Sequence, residues 1–232
     1  MDEDMIRLES VSKVYREGRI EVPALSDVSL KINKGEFAAV SGPSGSGKTT
    51  LLNLIGALDV PTGGKIWLEG KDLSALDRTA LSQIRRDRIG FVFQAYNLIA
   101  VLTAFENAEF VMAIQGVPAA ERRDRTTAIL RDVGLGGLEG RRPDELSGGQ
   151  QQRVAIARAM VTGPAVVLAD EPTANLDSHT ADSLLDMMEE LNRKRGVTFL
   201  FSTHDPRVME RARRIIRLRD GRLDSDEITK QD

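Results

Sequence analysis

Gly42-Pro43-Ser44-Gly45-Ser46-Gly47-Lys48-Thr49 stands between a short apolar run at residues 36–41 and a helical pattern at residues 49–58. Strand, glycine-rich loop and helix in that order make a phosphate-binding unit. Polyphosphate is strongly anionic, and holding it needs many donors in a small space. Glycines at 42, 45 and 47 let the backbone curl so that successive N–H groups point inward. The helix adds its unpaired N-terminal N–H groups and positive dipole end. Lys48 reaches the outer phosphates, and the Thr49 hydroxyl is placed to ligate Mg²⁺. The expected contact set is Gly42, Pro43, Ser44, Gly45, Ser46, Gly47, Lys48, Thr49 and Thr50, with a nucleoside triphosphate as the ligand.

A second carboxylate-bearing site answers the first. Residues 165–169 read Ala-Val-Val-Leu-Ala, a strand buried on both faces, and Asp170-Glu171 follow it. Unpaired charge at the end of a buried strand is costly and needs a partner. In phosphate-loop ATPases such an Asp holds Mg²⁺, and Glu171 would orient or deprotonate the attacking water.

Strands alternate with helices along the chain. Strands are expected at residues 11–15, 24–32, 36–41, 65–68, 89–93, 165–169 and 197–202. Residues 16–23, with Gly18 and Pro23, read as a loop. Helices are expected at 49–58, through most of 103–133 with a break near Gly116-Val117-Pro118, and at 147–161 and 178–194. A charged segment between 68 and 89 also reads as helical. The pattern predicts an α/β core with a parallel sheet. The charged tail, 220–232, reads as partly frayed.

Composition narrows the class. No run approaches the about 18 apolar residues of a membrane helix. Met1-Asp2-Glu3-Asp4 is acidic, unlike a secretory signal. Cysteine is absent, which excludes disulfides and thiolate chemistry. A net charge of −3 argues against nucleic acid as a partner. The clusters Arg122-Arg123 with Arg125, Arg141-Arg142, and Arg211 with Arg213-Arg214 have acids nearby and read as solvated faces. Phe91 and Phe93 read as core.

Leu146-Ser147-Gly148-Gly149-Gln150 specifies the kind of ATPase. Ser147 is a good helix cap, and the bare Gly148-Gly149 turn makes a second anion-binding helix start. From residue 146 to Arg158 the chain reads Leu-Ser-Gly-Gly-Gln-Gln-Gln-Arg-Val-Ala-Ile-Ala-Arg. With the phosphate loop, this run resembles the ATP-binding-cassette family, whose nucleotide-binding subunits clamp ATP between two copies. The resemblance implies that Ser147, Gly148, Gly149 and Gln150 meet ATP held by a second copy, with Ser147 and Gly149 at the γ-phosphate.

Other positions follow from the resemblance. Gln94 is similar to the glutamine that meets Mg²⁺ and the attacking water; the implied metal set is Thr49, Gln94 and Asp170. His204 looks like the γ-phosphate sensor, and the implied catalytic group is Glu171, His204, Lys48 and Gln94. Asp177, in Ala174-Asn175-Leu176-Asp177, resembles the loop that crosses the dimer interface; the family's frequent serine is Ala174 here. Tyr15 is similar to the aromatic residue that stacks on adenine. His179 matches no motif and reads as solvated.

The implied fold is α/β: a P-loop NTPase core with a mostly parallel sheet, an N-terminal antiparallel β subdomain and an inserted α-helical subdomain. One domain is expected over 1–232, with a RecA-like core and β subdomain at about 1–94 and 162–232 and the helical part at about 95–161. Details such as Gly90-Phe91-Val92-Phe93-Gln94 and Asn97-Leu98 are similar to the branch serving lipoprotein release, macrolide or peptide export, and a cell-division complex. The resemblance implies a second copy of the chain and integral membrane permease subunits as partners, at the cytoplasmic face of the membrane. A soluble cassette ATPase of repair, ribosome rescue or iron–sulfur assembly is the rival reading. A repair ATPase would need a long coiled coil between the two phosphate sites, and a GTPase would need an Asn-Lys-x-Asp reader; neither is present.

Overall fold

The computed structural model describes residues 4–18 and 20–229. Two sheets organise it. The first is antiparallel, in the order β2-β1-β4-β5: β1 (Asp4–Glu17), β2 (Ile20–Asn33), β4 (Gly63–Leu68) and β5 (Lys71–Asp72). The second has six strands in the order β10-β9-β3-β8-β7-β6: β3 (Phe37–Ser41), β6 (Ile89–Phe93), β7 (Val166–Asp170), β8 (Thr198–Ser202), β9 (Arg214–Arg219) and β10 (Arg222–Ile228). All its neighbours run parallel except β9 and β10.

The parallel strands at the centre of the six-stranded sheet are buried on both faces. Phe37, Ala39, Val167, Ala169, Phe199 and Phe201 face one core cluster. Ala38, Val40, Val166, Leu168 and Leu200 face the other. This period of two is what a pleated strand imposes, and it explains the continuous apolar runs in the sequence. The first cluster is filled by α3 (Ala104–Ile114), α4 (Ala119–Asp132), α5 (Gly148–Met160) and α6 (Ser178–Arg195), with α7 (Pro206–Arg211) at its margin. The second is filled by α1 (Lys48–Ile55), α2 (Arg78–Arg88) and the antiparallel sheet.

Four expectations change. Residues 16–23 are not an open loop: β1 and β2 run on to the pair Glu17–Ile20, with Gly18 at φ 62° opening a tight turn. Pro23 is tolerated because β2 is an edge strand. The tail is not frayed through residue 228, because β10 pairs with β9; residues 230–232 of that expectation, like residues 1–3, lie outside the described residues. Arg214 is not a solvated charge. It bridges Glu36 at 3.1 Å and Asp226 at 2.7 Å, while Arg217 meets Glu227 at 2.7 Å. Arginines of β9 facing acids of β10 supply the cross-strand pairing that holds the tail. Arg122 likewise meets Glu109 at 2.9 Å, both partly covered. Finally, Phe91 and Phe93 are only partly buried: Phe91 packs against the second core cluster as expected, and the two rings stack side by side at 5.8 Å.

Candidate active site

Four adjacent strands of the parallel sheet end side by side. Val40 pairs with Ser202, Ser202 with Asp170, and Asp170 with Phe93. The next residues along each strand are therefore brought to one edge: the glycine loop, Thr203-His204, Glu171 and Gln94. The cleft at that edge, about 720 Å³, is lined by Gly42 to Thr50 except Ser46, with Gln94, Asp170, Glu171, Ser202 and His204. Carboxyl ends of parallel strands are where such folds hold ligands.

The loop is held by close packing. Gly47 caps α1 at φ 101°, and a Cβ there would lie 2.6 Å from the Ala24 carbonyl of β2. Ser46 is buried beneath the loop, its hydroxyl without a protein partner. The Lys48 ammonium donates to the carbonyls of Gly42 at 2.8 Å and Pro43 at 3.0 Å. Curled backbone, helix start and ammonium converge on one anion site, which fits a polyphosphate. The Thr49 hydroxyl donates to Asp170 Oδ2 at 3.4 Å, and Gln94 lines the same cleft. Hydroxyl, carboxylate and amide oxygens are the hard donors that suit Mg²⁺.

Glu171 is the most tightly constrained acid here. Its φ is 46°, a left-handed conformation that is uncommon for a glutamate and recurs at active sites. Oε2 accepts from the Thr203 hydroxyl at 2.9 Å; Oε1 accepts from the His204 amide at 3.2 Å and lies 2.6 Å from His204 Nδ1. Thr203 Oγ1 also accepts from the Asp205 amide at 2.9 Å, and Asp205 accepts from the Thr173 hydroxyl at 2.7 Å. Desolvation pushes the Asp205 carboxyl up, but bonds from Arg207 and Thr173 outweigh it and hold it below the usual range.

The remaining expected residues are not in this lining. Ser147 caps α5 through a reciprocal pair of bonds with Gln150, at 3.3 and 2.9 Å. Gly149 packs against α6 so closely that a Cβ would lie 2.3 Å from Thr180 Cγ2, and one on Gly148 would lie 2.9 Å from the Tyr96 hydroxyl. Asp177 caps α6, and bonds from Thr180 hold its carboxyl below the usual range. Tyr15 is 40% exposed near the end of β1, its hydroxyl on Asp59. His179 is exposed at the start of α6.

Sequence reading missed the supports between these pieces. The Asn175 amide donates to the Gln94 carbonyl at 2.9 Å. Arg158 holds the carbonyls of Asn97 at 2.6 Å and Tyr96 at 2.9 Å, while buried Gln152 donates to Pro172 O at 2.7 Å. The one available signal was position: Thr173 and Thr203 sit beside the strand-end residues Glu171 and His204. Beside Gln94, a groove of about 550 Å³ is walled by Leu58, Phe91, Phe93, Val111 and Ile114, with Arg85 and Arg158 at hand.

Known proteins are similar to this chain in sequence and fold. The family described as ABC transporter matches residues 25–174. The lipoprotein-releasing system ATP-binding protein LolD of Anaeromyxobacter dehalogenans is 50% identical over 222 residues, spanning 95% of this chain and 93% of its own. The macrolide export ATP-binding/permease protein MacB of Hyphomonas neptunium is 47% identical over 231 residues; the match covers 100% of this chain but 36% of that longer protein. A dimeric bacterial ABC transporter cassette superposes with a TM-score of 0.89 at 43% identity, covering 98% of this chain and 100% of that one. Family match, half-identical sequence and shared α/β fold agree: the chain belongs to the ABC transporter family of ATP-binding cassettes.

Proposed function

We propose that this chain is an ATP-hydrolysing subunit that closes with a second copy around ATP and drives a separate membrane permease. The observation that carries the reading is Glu171, locked by Thr203 and His204 at the edge of the phosphate-loop cleft. The loop from Gly42 to Thr50 and Lys48 bind the triphosphate. Thr49, Asp170 and Gln94 would hold Mg²⁺, which neutralises charge on the phosphate oxygens. Glu171 orients the attacking water and accepts its proton. His204 faces Glu171 through Nδ1; donating to carboxylate and phosphate together requires both ring nitrogens protonated. Ser147 to Gln150 of a second copy complete the charge stabilisation at the γ-phosphate, with Asp177 at the interface.

Solution of a related cassette as a dimer, in a post-hydrolysis state with ADP and Pi, supports this two-copy reading. The helical region, about 95–161, moves with nucleotide state, and the groove at Phe91, Phe93 and Ile114 receives a segment of the permease. Among the described residues no helix is long and apolar enough to cross a membrane. The chain then sits peripherally on the cytoplasmic face. Relatives named for lipoprotein release and macrolide export favour export or extraction as the driven process.

The test is Glu171→Gln. It should bind ATP, lose about a hundred- to ten-thousandfold in turnover, and elute as a dimer with Mg-ATP on size-exclusion chromatography. Hydrolysis at the parent rate, or a monomer under saturating ATP, overturns the reading.

A further inference from the structure

Lys13, Tyr15 and Asp59 form a cluster outside the phosphate cleft. Lysine is seldom buried, yet the Lys13 side chain is only 9% exposed. Its ammonium lies 2.6 Å from Asp59 Oδ1 and 2.8 Å from the Val60 carbonyl, and 4.8 Å from the centre of the Tyr15 ring. The Tyr15 hydroxyl donates to the other oxygen, Asp59 Oδ2, at 3.0 Å. One carboxylate thus holds a buried cation with one oxygen and an exposed phenol with the other.

Asp59 itself is firmly seated. It follows α1, the helix whose first turn forms part of the phosphate cleft. The amides of Leu58 and Asp59 both donate to the Asn53 carbonyl, and Oδ1 also accepts from the Val60 amide at 2.7 Å. Desolvation raises the Asp59 carboxyl, but bonds from Lys13, Val60 and Tyr15 outweigh it and hold it below the usual carboxylate range. Desolvation and the bond to Asp59 push the Tyr15 phenol up, so it stays a donor.

Two physical arguments give the cluster a purpose. A buried ion pair offsets its own desolvation and adds little net stability, so what it holds matters more than what it contributes. What it holds is the hydroxyl edge of an exposed aromatic ring. Stacking on a base depends on the ring's plane and offset. Tethering the ring to the segment bonded to the end of α1 fixes that plane relative to the helix that cradles the phosphates.

We infer that Lys13 and Asp59 are positioning residues that lock the Tyr15 ring, through Lys13–Asp59–Tyr15, as a preset platform for the nucleobase. The inference rests on the reading of Tyr15 as the adenine contact. Pre-organisation raises affinity by removing the cost of ordering the ring at binding. It acts on the base alone and leaves phosphate binding untouched.

The experiment is calorimetric titration of the full chain with ATP and, separately, with inorganic tripolyphosphate. Tyr15→Phe keeps the ring and removes the tether; Asp59→Asn weakens the tether from the other side; Lys13→Met removes its buried anchor. Each should bind ATP about three- to tenfold more weakly, with tripolyphosphate affinity unchanged. Tyr15→Phe/Asp59→Asn should be no worse than the weaker single variant, as expected of one shared interaction. Tyr15→Phe is conservative at an exposed site and carries the test should Lys13→Met fail to fold. If Tyr15→Ala binds ATP like the parent, the adenine reading itself falls. If Tyr15→Ala weakens ATP binding while Tyr15→Phe and Asp59→Asn do not, the tether is overturned. Equal losses for ATP and tripolyphosphate reduce the cluster to a structural role and also overturn it.

Discussion

Thr203 shows how much of the chemistry rests on residues that carry none themselves. Its hydroxyl donates to Glu171 Oε2 and accepts from the Asp205 amide, so it fixes the carboxylate against the next turn of chain. Thr203→Val keeps the shape and removes both bonds. A hydrogen bond to a charged group contributes about 1.5–3 kcal/mol, so kcat should fall about ten- to a hundredfold while the KM for ATP stays close to the parent value. Steady-state kinetics, corrected for any loss of folded protein seen in a melting curve, would check this. Lys48, Thr49, Asp170 and Glu171 were legible because charge and hydroxyl groups follow apolar strands at telling places. Thr203, Asn175 and Arg158 were not, because their partners are Glu171, Gln94 and Asn97, far away in sequence and near only after folding.

Helix α5 is the element through which the pieces are joined. Its first turn carries Ser147 to Gln150, its middle holds Pro172 through Gln152, and Arg158 near its end holds the chain after Gln94. Its start is pressed onto the start of α6 at Gly149 and Thr180. Gly149→Ala places a methyl group 2.3 Å from Thr180 Cγ2 and should destabilise by about 1–3 kcal/mol. Thr180→Ser keeps the hydroxyl and deletes that methyl, so the double variant should recover most of the loss in urea denaturation. No recovery would mean that the contact is not what glycine is needed for. Strands β3, β6, β7 and β8 were legible as apolar runs because both of their faces are buried. The β1–β2 turn and the β9–β10 pair were hidden for the opposite reason. Gly18 and Pro23 punctuate the first like a loop, and the second depends on Arg214–Asp226 and Arg217–Glu227 pairs that no local pattern announces.

The whole chain depends on carboxylates being ionised. Asp59 and Asp205 have folded-state pKa values below the unfolded ones, the net result of desolvation outweighed by hydrogen bonds and charge. The unfolded chain therefore takes up protons first. Their contribution is fully present above the ordinary aspartate range of about 4 and is lost as pH falls through the depressed values. Urea midpoints should hold steady from neutral pH down to that range and then drop. Asp59→Asn should flatten part of the drop; a drop unaffected by that change would assign acid sensitivity elsewhere. The α/β architecture and the ATPase family were legible from two glycine-rich runs, since both mark helix starts that bind anions. The pairing order of the strands was not, and it has a cost during synthesis. Strand β3 carries the phosphate loop, but its neighbours are β8 and β9, from the last third of the chain. At a ribosomal pace of about 5–20 residues per second, the nascent β3 waits about 10–30 seconds with both edges open. A message truncated before residue 198 would thus yield a product carrying an intact phosphate motif on an unpaired, apolar strand, a target for chaperones and proteases rather than a nucleotide binder.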